Sequence, residues 1–199
     1  MNIETEFYLK QLENWPKTGQ HILAHYDDET IMVYQAYRSS IGNFALKKGY
    51  FGGDFKYTRM SWIKPNFLWM MYRSGWGTKA GQEMILAIRL RRQFFDNLLS
   101  LAIPSSYSNR MKETPASWKE KIKRSSVRLQ WDPDHNPIGK KVERRAIQLG
   151  LRDNALKSYG KKEVLEIINM SDFVAEQREN QKYFDKLVIP RERVYLPDN

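Results

Sequence analysis

The chain has 199 residues, enough for one substantial hydrophobic core, so we expect a single globular domain over residues 1–199. The hydrophobic fraction of 41% excludes a wholly disordered chain, and the absence of cysteine excludes disulfides, thiolate metal sites and a cysteine nucleophile. The net charge of +10 is uneven, because residues 1–54 have five Lys and Arg against seven Asp and Glu, whereas residues 55–199 have 28 against 16. No stretch approaches about 18 apolar residues and the N-terminus lacks a secretion-signal pattern, so we expect a cytoplasmic protein without a membrane partner.

The first half of the chain predicts helices that alternate with short strands. Apolar residues at 3, 7, 8, 12 and 15 have helical spacing, so we predict an N-terminal helix over 3–15, ended by Pro16, with the rest of the core over about 20–199. The following predicted elements are a strand at 31–36, a helix at 39–48 ended by Gly49, a turn at 52–53, a strand at 55–60, a helix from Pro65 to 73, a strand at 84–90 and a helix at 93–102.

The second half continues the alternation. Thr114 followed by Pro115 is typical of a helix start, and the helix should extend to about 123. The later predicted elements are a strand at 126–131, a turn-rich loop after it, helices at 142–151 and 161–169, a helix at 172–184 capped by Ser171, and an edge strand at 193–196. These elements predict an α+β fold, in which a small mixed or antiparallel split sheet is flanked by helices.

Residues 59–76, RMSWIKPNFLWMMYRSGW, combine cations with many aromatic and methionine side chains. Arg59, Lys64 and Arg73 are spaced too closely for a plain core segment, because buried Lys and Arg are rare unless they are paired or bind a ligand. This segment is therefore the first candidate for a functional site. Phe67, Met70 and Met71 have the spacing of ordinary core residues within it.

Arg38 follows a predicted strand, and guanidinium groups at such a place suit a diphosphate or another phosphate-containing nucleotide. A ring such as that of Trp62 could stack on a base. The predicted cofactor-binding residues are Arg38, Arg59, Trp62, Lys64, Asn66 and Arg73.

Asp132, Asp134 and His135 place two carboxylates and an imidazole within four positions. They could form a cation site or a general base, but Asp and Asn before Pro explain the same residues through turn chemistry. His21 and His25 have the spacing of helical metal ligands, and no third ligand stands at a fitting distance. We therefore predict no metal site.

The strings VYQAYR, TRMSWIKPNFLWMMYRSGWGTK, VRLQWDPDH, RAIQLGL and ERVY closely resemble the family called domain of unknown function 4291. The resemblance covers most of the chain, from about 31 to 196, and its long motifs are specific. It implies membership of that family, but no activity comes with it.

A looser resemblance is to the ADP-ribosyltransferase fold, which binds NAD. Its members place an Arg or His at the end of the first core strand, a Ser or Tyr near the end of a second, and an acidic residue on a later strand. The resemblance implies Arg38 in the first role, Ser61 or Tyr72 in the second, and Gln130 or Asp132 in the third, where the usual glutamate is missing. If it holds, Arg38, Ser61 and Gln130 should converge on one cleft.

Two functional hypotheses follow. The first is a nucleotide-binding protein, with NAD as its cofactor, that acts as an ADP-ribosyltransferase-like enzyme on nucleic acid or protein. The second is a non-catalytic RNA- or DNA-binding module, indicated by the basic clusters at 110–128 and 140–152 and the aromatic residues spread along the basic part of the chain. Salt-dependent binding to single strands would distinguish the second hypothesis from the first.

Overall fold

The computed structural model describes residues 3–198 and arranges them as short helices around twelve strands. The α-helices are α1 (Tyr8–Asn14), α2 (Ser39–Lys48), α3 (Phe67–Ser74), α4 (Arg92–Leu101), α5 (Pro115–Arg124), α6 (Asp153–Ser158) and α7 (Ser171–Glu179), and a π-helical turn covers Tyr159–Glu163. The strands are β1 (Thr5–Phe7), β2 (Gly19–Gln20), β3 (Leu23–Ala24), β4 (Thr30–Tyr37), β5 (Ser61–Ile63), β6 (Met84–Arg91), β7 (Ile103–Pro104), β8 (Val127–His135), β9 (Lys141–Leu151), β10 (Val164–Asn169), β11 (Val188–Pro190) and β12 (Arg193–Val194).

The short strand β5 joins the two main sheets. One sheet has the order β10-β6-β4, and the other is built on the β8–β9 hairpin. β5 pairs with β9 on one side, and on the other the Tyr34 amide of β4 donates to the Lys64 carbonyl at 2.7 Å. The sheet built on β8 and β9 is mixed, because β2 is parallel to β9 and β7 is parallel to β8. All the other pairings, including those of the β10-β6-β4 sheet, are antiparallel. The predicted α+β class is confirmed.

Two hydrophobic clusters cover the two faces of β4. Ile31 and Val33 point into one cluster, while Met32 and Tyr34 point into the other, as the period of two along a strand requires. α3 packs on the second face, where Phe67, Met70 and Met71 are buried. Their predicted core role is confirmed.

Local signals located the helix ends well. Gly49 ends α2 in the left-handed conformation, with a φ of 73°, and its N–H donates to the Ala45 carbonyl. The Thr114 hydroxyl accepts from the Ser117 N–H at 3.2 Å and caps α5 as predicted. The Asn66 side chain caps α3 in the same way through the Trp69 N–H.

Two predicted helices are wrong. Residues 142–151 lie in β9, where Ile147, Leu149 and Leu151 reach the core while the residues between them face away. Residues 161–169 form the end of the π-helical turn followed by β10. In both segments the apolar spacing fits either period over a short window, and pairing with β8 or β6 decides the outcome.

Smaller differences concern element ends. The predicted strand at 55–60 is a series of turns, and only residues from Ser61 onward are extended. The predicted N-terminal helix at 3–15 is helical over Tyr8–Asn14 alone, because Thr5–Phe7 pairs with β11. β8 continues through His135, so the turn of its hairpin begins at Asn136, and α7 ends at Glu179 rather than at 184. Among residues 3–198, no helix has the length and hydropathy to cross a bilayer.

Candidate functional site

A cleft of about 400 Å³ opens where β4 ends and α2 begins. β4 and the N-terminal part of α2 form one wall, and the turns that follow α2 form the other. The lining residues are Tyr37, Arg38, Ile41, Asp54, Phe55, Lys56, Arg59, Met60, Ser61 and Gly81. The cleft therefore combines cations, apolar side chains and hydroxyl groups.

The mouth of the cleft is positively charged. The Arg38 guanidinium lies 3.2 Å from an oxygen of Asp54, and the Ser40 hydroxyl donates to the same oxygen at 2.8 Å. Both members of the ion pair are more than half exposed, and such pairs contribute only about 0–1 kcal/mol. Because this pair is weak, Arg38 can exchange Asp54 for a ligand phosphate at little cost. Lys56 and Arg59, which also line the cleft, have no ion-pair partner among residues 3–198.

Two lining residues of the cleft, Tyr37 and Ser61, belong to a set of side chains that we call the hydroxyl network: Gln35, Tyr37, Ser61 and Tyr159. The Gln35 amide donates to the Ser61 hydroxyl at 2.8 Å, and the Tyr37 hydroxyl lies 3.0 Å from the same oxygen. The Tyr159 hydroxyl donates to the side-chain amide oxygen of Gln35, at 2.6 Å. Burial raises the pKa of Tyr37 and Tyr159, so both stay neutral and can donate. The network fixes the Ser61 hydroxyl at the cleft.

A second polar surface lies on the opposite side of the sheet. Ser61 is paired with the core residue Leu151, whereas Trp62 is paired with Gly150, so the two side chains point to opposite faces. We call the surface on the Trp62 side the polar face; it consists of Trp62 and Lys64, of Arg128, Gln130 and Asp132 on β8, and of Ala146, Gln148 and Gly150 on β9. Gln130 lies beside Gln148, and Asp132 beside Ala146.

Two neutral amides hold the carboxylate of the polar face. Gln130 donates to one oxygen of Asp132 at 2.8 Å, and Gln148 donates to the other at 2.7 Å. Asp132 forms no ion pair within 4.0 Å among the described residues. Both Asp132 oxygens therefore accept hydrogen bonds from neutral amides rather than from a cation.

The cations of the polar face are poorly compensated. Lys64 is only 6% exposed, and within residues 3–198 its ammonium has a single, long hydrogen bond, to the Trp62 carbonyl at 3.4 Å. Burial lowers the pKa of Lys64 to about 8; the nearby Arg73 guanidinium lowers it too, while Asp132 acts in the opposite direction. The Nε of Arg128 is also buried and has no hydrogen-bond partner among the described residues.

Tyr72 and Asn66 are both committed to contacts within the protein. The Tyr72 ring stacks on the His135 ring with centroids 3.5 Å apart. Asn66 is buried, and its two polar atoms bind the Trp69 N–H and the Glu192 carboxylate. Neither residue lines the cleft.

Sequence reasoning placed the candidate residues in one site, whereas the structure divides them between two surfaces. Arg38, Arg59 and Ser61 line the cleft, whereas Trp62, Lys64, Gln130 and Asp132 lie on the polar face with Arg73 nearby. The expected convergence of Arg38, Ser61 and Gln130 is therefore wrong, because strand alternation sends Ser61 and Gln130 to opposite faces.

Sequence reasoning also missed several residues of the two surfaces. Tyr37, Asp54 and Lys56 line the cleft, and Arg128 and Gln148 belong to the polar face. The alternation of Val, Arg, Leu and Gln along β8 could have revealed Arg128 as an outward-facing residue.

The Asp134–His135 segment is structural. Asp134 is buried and forms an ion pair with Arg144, with 2.6 Å between Oδ2 and Nη2. Both ring nitrogens of His135 are buried without a hydrogen-bond partner in the described part of the chain, and burial lowers its pKa. Over residues 3–198, no group of three or more acidic or histidine side chains is placed to hold a metal ion.

Comparison with known proteins adds a family but no activity. The family model described as Domain of unknown function (DUF4291) matches residues 21–195, so the chain belongs to this family. No curated protein matches the sequence. Function must therefore be argued from the two surfaces themselves.

Proposed function

We propose that the protein binds a phosphate-containing nucleotide in the cleft, and that NAD is its ligand. The observation that carries this proposal is the grouping of three cations, Arg38, Lys56 and Arg59, against the single carboxylate Asp54. Guanidinium groups bind phosphate oxygens through paired hydrogen bonds, so the mouth of the cleft suits a diphosphate.

The interior of the cleft suits the rest of a nucleotide. Ile41 and Phe55 offer apolar surface for a base or nicotinamide ring, and the hydroxyls of Ser61 and Tyr37 offer partners for a ribose or an amide. A mostly apolar pocket with a few fixed polar groups is typical of cofactor sites. The volume of about 400 Å³ is within the usual range for such a pocket.

The enzymatic form of the proposal is ADP-ribosyl transfer. That reaction breaks the bond between nicotinamide and ribose and joins the ribose to an acceptor hydroxyl or amine of a nucleic acid or protein. Asp54 is a carboxylate that lines the cleft, whereas Gln130 and Asp132 point away from the Ser61 side of the sheet. The geometry thus supports nucleotide binding more strongly than transfer.

Thermal unfolding with and without NAD tests the binding proposal. Arg38→Ala removes the guanidinium that we expect to donate hydrogen bonds to the phosphates. Arg91→Ala is a matched control, because the exposed Arg91 side chain also forms an ion pair, with Glu163 at 3.1 Å. Ligand at 100 times its Kd contributes about 2.7 kcal/mol, or roughly 5–10 °C in Tm for a chain of this size.

We expect the NAD-induced shift in the unmodified protein and in Arg91→Ala, and its loss in Arg38→Ala. The absence of any shift at millimolar NAD, or an equal shift in all three proteins, would contradict the proposal. Release of nicotinamide in the same samples would report the transferase step separately.

A second candidate function is binding of single-stranded RNA or DNA. The segment from 110 to 124 carries Arg110, Lys112, Lys119 and Arg124, which are exposed and form no ion pair with a described residue. In this case log affinity should fall with log salt by roughly 0.7 for each phosphate contacted. Salt-independent binding to an oligonucleotide would rule this function out.

A further inference from the structure

The polar face holds more positive charge than its single carboxylate balances. Lys64, Arg73 and Arg128 supply three cations, and Asp132 is already bound by Gln130 and Gln148. None of these cations has a carboxylate oxygen within 4.0 Å in the described part of the chain. The surplus lies at the surface formed by β5, β8 and β9 and beside the last turn of α3.

The burial of Lys64 makes this excess of positive charge energetically unfavourable when no anion is bound. The Lys64 side chain is more than nine-tenths buried, and its one hydrogen bond to a described residue, the Trp62 carbonyl, is 3.4 Å long. Arg73, in the last turn of α3, carries a like charge that lowers the pKa of Lys64 further. Burying an ammonium without an ion-pair partner is costly, and a nearby guanidinium adds to the cost. A bound anion would compensate both groups at once.

Side chains of different size line the polar face. β9 contributes Ala146 and Gly150 on either side of Gln148; the Met60 sulfur and the Trp62 ring cover Gly150, whereas Ala146 lies beside Asp132. The Trp62 ring lies across Gly150, since a Cβ built there would be 3.0 Å from two ring atoms. The surface therefore combines an aromatic ring and a thioether at one end with the amide groups of Gln130 and Gln148 beside them.

We propose that the polar face is a second anion site, separate from the cleft, and that it binds a phosphate group through Lys64 and Arg73, with Trp62 available to stack on an attached base. A phosphate matches the site because its several oxygens can accept from an ammonium and a guanidinium together. The group can be free phosphate or the phosphate of a nucleotide. This site stands on its own observations, whatever the cleft binds.

Titration with inorganic phosphate and with adenosine 5′-monophosphate, at constant ionic strength maintained with chloride, tests the proposal. The readout is the rise in Tm as a function of ligand concentration. Lys64→Met and Arg73→Met each remove one of the two cations proposed to bind the phosphate, and Arg73 is exposed, so its substitution leaves the core packing unchanged. Arg38→Ala reports on the cleft, and Lys157→Met removes an exposed lysine of α6 as a charge control.

A saturable shift with phosphate in the unmodified protein, Arg38→Ala and Lys157→Met is expected. In Lys64→Met the Kd should rise at least tenfold, and in Arg73→Met severalfold. In Arg38→Ala, in which the cleft has lost the guanidinium proposed to bind nucleotide phosphates, adenosine monophosphate binding more tightly than phosphate would identify a nucleotide phosphate, and equal affinities would identify free phosphate.

Three results would overturn the proposal: the absence of a saturable shift, an equal shift in the Lys64 and Arg73 variants, or a shift lost only in Arg38→Ala, which would place the phosphate in the cleft. If the unmodified protein shows the phosphate shift but no NAD shift, only the function proposed for the cleft is refuted.

Discussion

Replacing Lys64 by methionine should stabilise the protein at neutral pH and should do so less as the pH rises. Methionine keeps most of the side-chain volume but removes a charge that is 6% exposed and has no ion-pair partner among residues 3–198. Lowering the pKa from 10.5 to about 8 corresponds to roughly 3 kcal/mol, at 1.36 kcal/mol for each pH unit. This is the free energy that the folded protein loses by keeping Lys64 charged.

The sign of the pH dependence follows from proton binding. Between about pH 8 and 10.5 the unfolded chain keeps the Lys64 proton while the folded chain has released it, so the stability contributed by Lys64 rises with pH. Relative to Lys64→Met, the unmodified protein should gain about 2.5 kcal/mol between pH 7 and pH 10. Comparing the two proteins cancels the titration of the other groups, which they share.

Urea unfolding at pH 7, 8, 9 and 10, in buffers without phosphate, measures the difference in the free energy of unfolding. Lys157→Met is the matched control, because the Lys157 side chain is exposed and its substitution should give a difference that does not vary with pH. A constant difference between Lys64→Met and the unmodified protein would show that the Lys64 ammonium is not desolvated, and the argument for an uncompensated charge would fail.

Urea unfolding also tests three further substitutions. Gly150→Ala places a Cβ 2.8 Å from the sulfur of Met60, so we expect a loss of about 1–3 kcal/mol; an unchanged stability would mean that the side chains above it move freely. Arg144→Met leaves buried Asp134 without its cation and should cost about 3–5 kcal/mol, most of which Asp134→Asn in the same chain should restore; equal losses in the single and double variants would contradict this. Tyr159→Phe removes the donor to the amide oxygen of the hydroxyl network and should cost about 1–3 kcal/mol, whereas no loss would show that water replaces it.

The sequence predicted those parts of the fold that local signals determine. α2 and α5 were located because Gly49, Thr114 and Pro115 act within one turn of the helix they end or begin. β9 was predicted as a helix because its short apolar pattern fits both periods. Its strand conformation depends on hydrogen bonds to β8, and a single sequence does not reveal which segments pair.

The candidate residues also divide into those that a local pattern reveals and those that depend on strand pairing. Arg38 was found because an arginine directly after a strand is a local pattern, and the structure places it in the cleft. Gln148 was missed because its segment was assigned to a helix. The relation between Ser61 and Gln130 depends on strand register, since a shift of one residue would exchange the two faces. Individual residues could be singled out from the sequence, but their grouping on the two faces of the sheet could not.

β5 explains why one unusual segment contributes to two surfaces. Along its three residues, Ser61 points to the core side with Leu151, and Trp62 points to the other side with Gly150. Lys64 follows on the Trp62 side, fixed by the bond from the Tyr34 amide to its carbonyl. A run of polar residues in a strand cannot form one pocket unless the chain turns, because successive side chains are separated by the thickness of the sheet. The mixed composition of 61–64 is therefore explained by an extended segment that contributes side chains to both faces of the sheet, rather than by a single site.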